Sequence, residues 1–229
     1  MSQPDHHEPA PEPLRPQPRP LQNPVVLAVA GCSGSGKTTL ANQLARTLGG
    51  VHFQFDNYYR DLAHLPLADR KRENFDDPAL IESPLLIAHV AELAHGRPIE
   101  RPTYDFSTYT RVPNQTELIH PAPYLIIEGL FALHYPDLIP HYHLRIYVET
   151  PDVVCFERRL HRDIEERGRT PESVRAQYEA TVRPASLAFV RPSAANADLI
   201  IDGTGDLDWK VERVLSHMRT RGIIGQFNP

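Results

Sequence analysis

Hydrophobic positions along the chain form short continuous runs that alternate with longer amphipathic segments. Apolar side chains on both sides of a strand are typical of a parallel sheet that helices cover on both faces. Runs of this kind predict five strands, at 25–30, 51–55, 124–127, 144–148 and 197–201.

The segments between these runs have helical spacing. In one of them, Leu85, Leu86, Val90 and Leu93 recur as on one face of a helix. The predicted helices cover 37–48, 81–95, 151–166, 171–190 and 207–219. Strands that alternate with helices indicate a doubly wound α/β fold with a five-stranded parallel sheet.

Two regions depart from this alternation. Residues 97–123 are rich in proline, threonine and aromatic residues, and we interpret them as an inserted β-hairpin. Residues 1–24 contain eight of the 23 prolines and few apolar side chains, which predicts a disordered proline-rich tail. A partner that recognises proline and an inert extension both fit its composition. The folded domain is then 25–229.

Composition excludes several classes of protein. The net charge of −5 argues against a general nucleic-acid binder, which needs a basic surface. Cys32 and Cys155 lack the paired spacing of a zinc or redox motif. The chain has neither a signal-peptide core nor an apolar run that could span a bilayer, so no membrane partner and a cytoplasmic location are expected.

The segment GCSGSGKT at 31–38 matches the phosphate-loop pattern G-x-x-x-x-G-K-S/T. It follows a predicted strand and opens a predicted helix, which is the context that the motif requires. Lys37 would contact the β- and γ-phosphates, and the Thr38 hydroxyl would hold Mg²⁺. The guanine-reading motif N-K-x-D is missing, which argues against a GTPase. The residues predicted to bind ATP are Gly31, Ser33, Gly34, Ser35, Gly36, Lys37, Thr38 and Thr39.

Two carboxylates end predicted strands. Asp56 follows the second strand and Glu128 follows the third, at the sheet edge where open α/β sheets bind ligands. Asp56 suits a base for a substrate hydroxyl, a Mg²⁺ group acting through water, or both; a solvated turn residue is the alternative. Glu128 suits a Mg²⁺ group, and a strand-end carboxylate paired with lysine or arginine is its alternative.

An arginine-rich segment lies at 158–169. Arg158 and Arg162 are four residues apart and share a helix face, and Gly168 would end that helix. Arginines in this arrangement favour a helical lid that closes over a triphosphate and excludes water. The interleaved carboxylates leave a second interpretation open, a solvated helix held by salt bridges.

Eight segments in order resemble the uridine/cytidine kinases of the uridine kinase and phosphoribulokinase group. They are GCSGSGKTT (31–39), FDNYYRD (55–61), ENFDDPAL (73–80), PTYDFSTYTR (102–111), LIIEGLFAL (125–133), RRLHRDIEERGR (158–169), QYEATVRP (177–184) and ADLIID (197–202). The resemblance covers the chain from about residue 25 onward. It implies a P-loop nucleoside kinase domain that transfers phosphate from ATP or GTP to the 5′-hydroxyl of cytidine or uridine, with Mg²⁺, in a homotetramer.

The resemblance also implies roles for individual residues. Catalytic roles fall on Asp56 as base, on Lys37, and on Arg162 and Arg167 as lid arginines. The metal-side groups would be Thr38, Asp56 and Glu128. The implied nucleoside-binding residues are Tyr59, Phe75, Asp76, Tyr104, Tyr109, Arg159, Arg169 and Gln177.

Tyr109 departs from the family pattern, in which histidine is frequent at this position. That side chain faces the 4-position of the pyrimidine, where uridine presents an acceptor and cytidine an amino donor. A phenol whose proton is held elsewhere only accepts, so this residue favours cytidine. Two rival functions remain open: another small-molecule kinase of the group, acting on a sugar phosphate or pantothenate, and a non-catalytic nucleotide-binding regulator.

Overall fold

The core of the fold is a five-stranded parallel sheet. Its strands are β1 (Val25–Gly31), β2 (Val51–Gln54), β5 (Tyr124–Glu128), β6 (Leu144–Glu149) and β7 (Leu199–Asp202). They lie in the order β2-β5-β1-β6-β7, and each pair runs parallel. All five predicted strands are therefore confirmed, although their ends differ from the predicted ones by one or two residues. The phosphate-loop strand β1 is the central one.

Helices α1 (Lys37–Leu48) and α7 (Leu207–Thr220) cover one face of this sheet, and α3 (Ser83–Ala94) and α4 (Asp152–Glu165) contribute to the core on the other face. The described chain also contains the shorter helices α2 (Leu67–Arg70), α5 (Pro171–Gln177) and α6 (Arg183–Ala185). Side chains alternate along β1: Leu27 and Val29 join a core with α1 and α7, whereas Val26 and Ala28 join a core with α3. This two-sided burial explains the continuous apolar runs of the sequence.

The inserted hairpin is also confirmed. Its strands β3 (Ile99–Asp105) and β4 (Thr110–Ile119) pair antiparallel, separately from the main sheet. Ile99 and Tyr104 belong to the core on the α3 side, so the hairpin packs onto that face.

The predicted helix at 171–190 is helical but irregular. Wider π-type turns at Tyr178–Val182 and Ser186–Val190 flank the short helix α6. Pro184 lies within α6 and has no N–H to donate, which disturbs the regular i to i−4 hydrogen bonds. This segment runs beneath the phosphate loop, where the Ser186 hydroxyl lies 3.0 Å from the Cys32 sulfur.

A computed structural model describes residues 23–224 of the chain. Most of the predicted proline-rich tail, and residues 225–229 of the predicted domain, lie outside this range. Within it, no helix has both the length and the apolar character needed to cross a bilayer.

Candidate active site

The phosphate loop joins β1 to α1 at the centre of the sheet. Gly34 has a positive φ of 83°, and a Cβ atom there would lie 2.3 Å from the Cys155 carbonyl oxygen, so only glycine fits. The Thr150 hydroxyl donates to the Ser35 carbonyl at 3.1 Å and holds the loop from beneath. All the predicted ATP-binding residues, from Gly31 to Thr39, therefore lie in this loop and the first turn of α1.

The loop leaves donors free for an anion. Among the described residues, no side chain caps α1, and its first turn carries no acidic residue. The Ser35 hydroxyl is buried and has no hydrogen-bond partner within residues 23–224. Free N–H groups and the positive end of a helix dipole form a binding site for phosphate. The phosphate loop is therefore suited to bind the phosphates of a nucleoside triphosphate.

Glu128 ends β5 beside this loop and is buried. Its Oε1 lies 3.6 Å from the Lys37 Nζ, and its Oε2 lies 3.6 Å from the His52 Nε2. Burial raises the pKa of Glu128, but Lys37, His52 and a hydrogen bond from the Thr38 hydroxyl lower it below its usual value. The carboxylate is therefore ionised and lies against the two loop residues predicted to hold phosphate and metal.

Asp56 lies in a 3₁₀ turn, Phe55–Tyr58, that follows β2; the predicted strand is thus one residue too long. Gln54 of β2 pairs with Glu128 of β5, which brings the two carboxylates side by side. Gly129 permits this approach, since a Cβ atom there would lie 2.6 Å from the Phe55 Cβ.

The Asp56 side chain is exposed to the cleft. Desolvation by the protein groups near it, followed by the charge of Glu128, raises its pKa to about 6, against the opposing charges of Lys37, Arg167 and Arg162. A carboxyl group with a pKa near neutrality is suited to accept a proton during a reaction.

Asp56, Glu128 and the Thr38 hydroxyl fit a magnesium ion. They supply hard oxygen ligands, which Mg²⁺ prefers, and a cation between the two acids would relieve the repulsion that raises the pKa of Asp56. Within residues 23–224, no three His, Cys, Asp or Glu side chains converge as a metal cage. Mg²⁺ characteristically takes most of its ligands from water and substrate phosphates, so a cage is not needed.

A cavity of about 580 Å³ opens beside Asp56. Its volume is within the range of small-molecule sites. Tyr59, Phe75 and Tyr109 form an aromatic wall, with the Phe75 ring centroid 5.1 Å from that of Tyr59 and 5.2 Å from that of Tyr109. The predicted substrate residues that line the cavity are Tyr59, Phe75, Asp76, Tyr109, Arg159, Arg169 and Gln177.

Tyr104 is the exception, because it does not line the cavity. Its ring is 5% exposed and packs behind the wall, 5.7 Å from the Tyr59 ring and 5.2 Å from the Phe106 ring. Strand β3 pairs Tyr104 with Arg111 and directs its side chain into the core. Tyr104 therefore lies behind the cavity lining in the described structure, and its contact with substrate stays a prediction.

A polar network occupies the other end of the cavity. The buried Asp76 accepts from Arg159 at 3.5 Å, and Arg159 and Arg169 both donate to the Gln177 side-chain oxygen. A carboxylate and two arginines in this arrangement suit a polyhydroxylated group such as a sugar.

The cavity is also lined by four residues that the sequence did not predict: Lys71, Phe106, Ser107 and Glu166. Phe106, Ser107 and Glu166 fall inside recognised segments, whereas Lys71 follows the short helix α2 and carries no sequence signal. The hairpin tip reaches the cavity because Arg70 donates to the Thr108 carbonyl at 3.0 Å.

Arg162 and Arg167 approach the same acid from α4 and the turn after it. Both lower the pKa of Asp56, and Arg167 also lines the cavity. Burial lowers the pKa of the Arg167 guanidinium. These two arginines therefore face the point where phosphate and cavity meet.

Comparisons with known proteins agree with this architecture. The chain is 43% identical over 199 residues to a uridine kinase from Chloroflexus aggregans, covering 86% of this chain and 95% of that one. It is 42% identical over 200 residues to a uridine kinase from Deinococcus deserti, covering 86% and 96%.

Solved structures share the fold at lower identity. Phosphoribulokinase from Rhodobacter spheroides matches with a TM-score of 0.57 and 18% identity, covering 80% of this chain and 73% of that one. D-glycerate 3-kinase from Cryptococcus neoformans matches with a TM-score of 0.56 and 17% identity, covering 76% and 81%. The model of the phosphoribulokinase / uridine kinase family matches residues 26–209. This chain is therefore an enzyme of the phosphoribulokinase / uridine kinase family of kinases.

Proposed function

We propose that this protein transfers the γ-phosphoryl group of ATP to the 5′-hydroxyl of cytidine or uridine, giving CMP or UMP in pyrimidine salvage. One observation carries the proposal. Asp56 borders both the phosphate loop with its metal-side groups and the aromatic cavity with its sugar-binding network. Relatives called uridine kinase, at above 40% identity over most of the chain, support the same substrate class.

The proposed reaction assigns a task to each group. Asp56 accepts the proton of the 5′-hydroxyl as its oxygen attacks the γ-phosphorus in line. Lys37, Arg162 and Arg167 stabilise the negative charge that develops on the transferring group, and the arginines exclude water from it. Bound Mg²⁺, held by Thr38, Asp56 and Glu128, would neutralise charge on the β- and γ-phosphates.

The nucleoside would lie with its base against the aromatic wall and its sugar against the Asp76 and Arg169 part of the polar network. Tyr59, Phe75 and Tyr109 supply the wall, and Asp76 and Arg169 would contact the ribose hydroxyls. Arg159 and Gln177 would face the base. Tyr104 supports the wall from behind. An aromatic wall favours a nucleoside over a sugar phosphate or pantothenate, and a base with a pKa of about 6 favours catalysis over regulation.

A substrate screen tests the function. Purified full-length protein with MgATP would be given cytidine, uridine, purine nucleosides, ribulose 5-phosphate and pantothenate, and ADP release would be followed. Turnover of a pyrimidine ribonucleoside is the expected result. Turnover of only a sugar phosphate or pantothenate, or ATP binding without turnover, would replace the proposal by the corresponding rival. GTP in place of ATP, and sedimentation of the protein, test the donor and the expected homotetramer.

Cytidine should be preferred to uridine by about tenfold or more in kcat/KM, equivalent to one hydrogen bond of about 1.4 kcal/mol. Tyr109 lies in the cavity wall. A phenol whose proton is given to another acceptor pairs with the 4-amino group of cytidine but not with the 4-oxo group of uridine. Tyr109→His should restore uridine turnover. The backbone at Tyr109 has a positive φ of 57°, a conformation in which histidine is found comparatively often.

Tyr109→Phe is the matched control for this preference. It keeps the ring and removes the hydroxyl, so the preference should fall if the hydrogen bond causes it and persist if the ring excludes uridine by size. Equal kcat/KM for both nucleosides in the wild type would reject the preference altogether.

Turnover should decline below about pH 6. Asp56 has a pKa of about 6 in the free enzyme, and the proton that it binds at lower pH prevents it from acting as a base. With MgATP well below its KM, kcat/KM for the nucleoside should fall about tenfold per pH unit below pH 6. Saturating MgATP should move this limb to lower pH, because a bound cation favours the ionised acid. A profile that stays flat down to pH 5 at low MgATP would contradict the assignment.

A further inference from the structure

Asp163 is a fully buried carboxylate in the last turn of α4. An ionised carboxylate in a protein interior is costly unless positive partners surround it. A solvent-exposed, salt-bridged helix was one interpretation of this segment, but a side chain with 0% exposure does not serve that purpose. The residues around Asp163 show which groups its charge stabilises.

Four arginines surround Asp163. Its Oδ1 accepts from Arg162 at 2.9 Å and lies 3.4 Å from the Arg167 Nη1. Its Oδ2 lies 3.6 Å from the Arg159 Nε and 3.5 Å from the Arg169 Nη1. Each oxygen of one carboxylate thus faces a different pair of arginines.

The two pairs belong to the two halves of the candidate site. Arg167 lines the cavity together with Asp56, at the phosphoryl end, and Arg162 shares the Asp163 Oδ1 with Arg167. Arg159 and Arg169 join the network of Asp76 and Gln177 at the nucleoside end.

The backbone of Asp163 also takes part in this cluster, while one of its carboxylate oxygens has no close hydrogen bond. The Arg169 N–H donates to the Asp163 carbonyl at 3.1 Å, which turns the chain back after α4, and Gly168 with φ of 62° permits that turn. The Asp163 Oδ2 makes no hydrogen bond within residues 23–224, although Arg159 and Arg169 stand near it. A small shift of either arginine would complete one.

We propose that Asp163 is a positioning residue that orients the arginines of both halves at once, so that nucleoside binding and phosphoryl transfer depend on one buried carboxylate. Four mutually repelling guanidinium groups stay together because this charge lies among them. Without it, each pair moves away from its partner groups. This inference rests on the proposed kinase function and deepens it.

Asp163→Asn tests the proposal, since it removes the charge and keeps the shape. We expect the nucleoside KM to rise about tenfold and kcat to fall about tenfold, as hydrogen bonds to charged groups at both ends weaken. Glu165→Gln is the matched control: it lies on the same helix, pairs with the exposed His161 at 3.1 Å, and should change neither constant.

Double variants separate positioning from a general effect on folding. If Asp163 acts through the arginines, its substitution should add little once an arginine of the pair is already lost. Added to Arg169→Met, Asp163→Asn should raise the nucleoside KM less than twofold. Added to Arg167→Met, it should lower kcat less than twofold. Full multiplicative effects in both backgrounds, or a lowered melting temperature with unchanged kinetics, would overturn the proposal. Should Asp163→Asn fail to fold, Asp163→Glu, which shifts the charge by one methylene, should produce the same paired change in KM and kcat.

Side-chain NMR gives a readout that does not depend on turnover. In Asp163→Asn the ¹⁵N guanidinium signals of arginines from both pairs should shift, and in Glu165→Gln they should not. A shift confined to Arg162 would overturn the shared positioning. If the wild type phosphorylates no pyrimidine nucleoside, the proposed function fails, while this NMR result still decides whether Asp163 organises the arginines.

Discussion

Replacing Asp56 by asparagine should lower kcat by about 10²- to 10⁴-fold, the usual contribution of a positioned general base. Asparagine has nearly the same shape but cannot accept the proton of the 5′-hydroxyl at neutral pH. The affinity for ATP without Mg²⁺ should change little, because the phosphate loop and α1 lie outside the substitution. Single-turnover phosphoryl transfer and titration of a fluorescent ATP analogue measure the two quantities.

The stability of Asp56→Asn provides an internal control. The pKa of Asp56 is raised from 3.8 to about 6 on folding, so the native state holds its proton to a higher pH than the unfolded chain. Wild-type stability from this group therefore decreases as pH rises from about 4 to about 6, and stays lower above that. Asp56→Asn should melt at or above the wild-type temperature at pH 7.5.

Asp69 is an exposed carboxylate on α2, and Asp69→Asn should leave turnover unchanged. Near-normal kcat in Asp56→Asn would reject the base.

Replacing Asp76 by alanine should lower kcat/KM for cytidine by about 100-fold. Hydrogen bonds from ribose hydroxyls to a charged acceptor contribute about 1.5–3 kcal/mol, or roughly 10- to 150-fold. The substitution also removes a partner 3.5 Å from the buried Arg159. In the wild type, 2′-deoxycytidine should react more slowly than cytidine, because the buried carboxylate loses a donor.

The ratio of cytidine to 2′-deoxycytidine turnover distinguishes this role from a general loss of structure. In Asp76→Ala the ratio should approach one, since neither nucleoside retains the contact. Asp77→Asn is the control: the side chain at 77 accepts from the Ala79 N–H at 2.8 Å, and asparagine can make the same bond. A ratio that stays at the wild-type value in Asp76→Ala would show that the ribose hydroxyls bind elsewhere.

The parts of the fold that follow from local pattern were predictable. The strands are apolar on both sides and the phosphate loop is a contiguous motif, so neither depends on distant partners for its identification. Glu128 was predictable for the same reason, because the carboxyl ends of parallel strands meet at one edge of the sheet. The same argument predicts Asp56, although this residue lies in the 3₁₀ turn that follows its strand.

The side-chain directions and long-range contacts were decided only by tertiary structure. Tyr104 occurs in a matching segment, yet the hairpin register turns its ring into the core. Lys71 reaches the cavity from an irregular segment without any sequence signal. Asp163 looks like one of several charges on a helix, and only packing places it among four arginines. The sequence alone thus determined the sheet, the phosphate loop and the strand-end acids, because these depend on neighbours along the chain. Packing between distant segments decided which side chains face the cavity and which support it from behind.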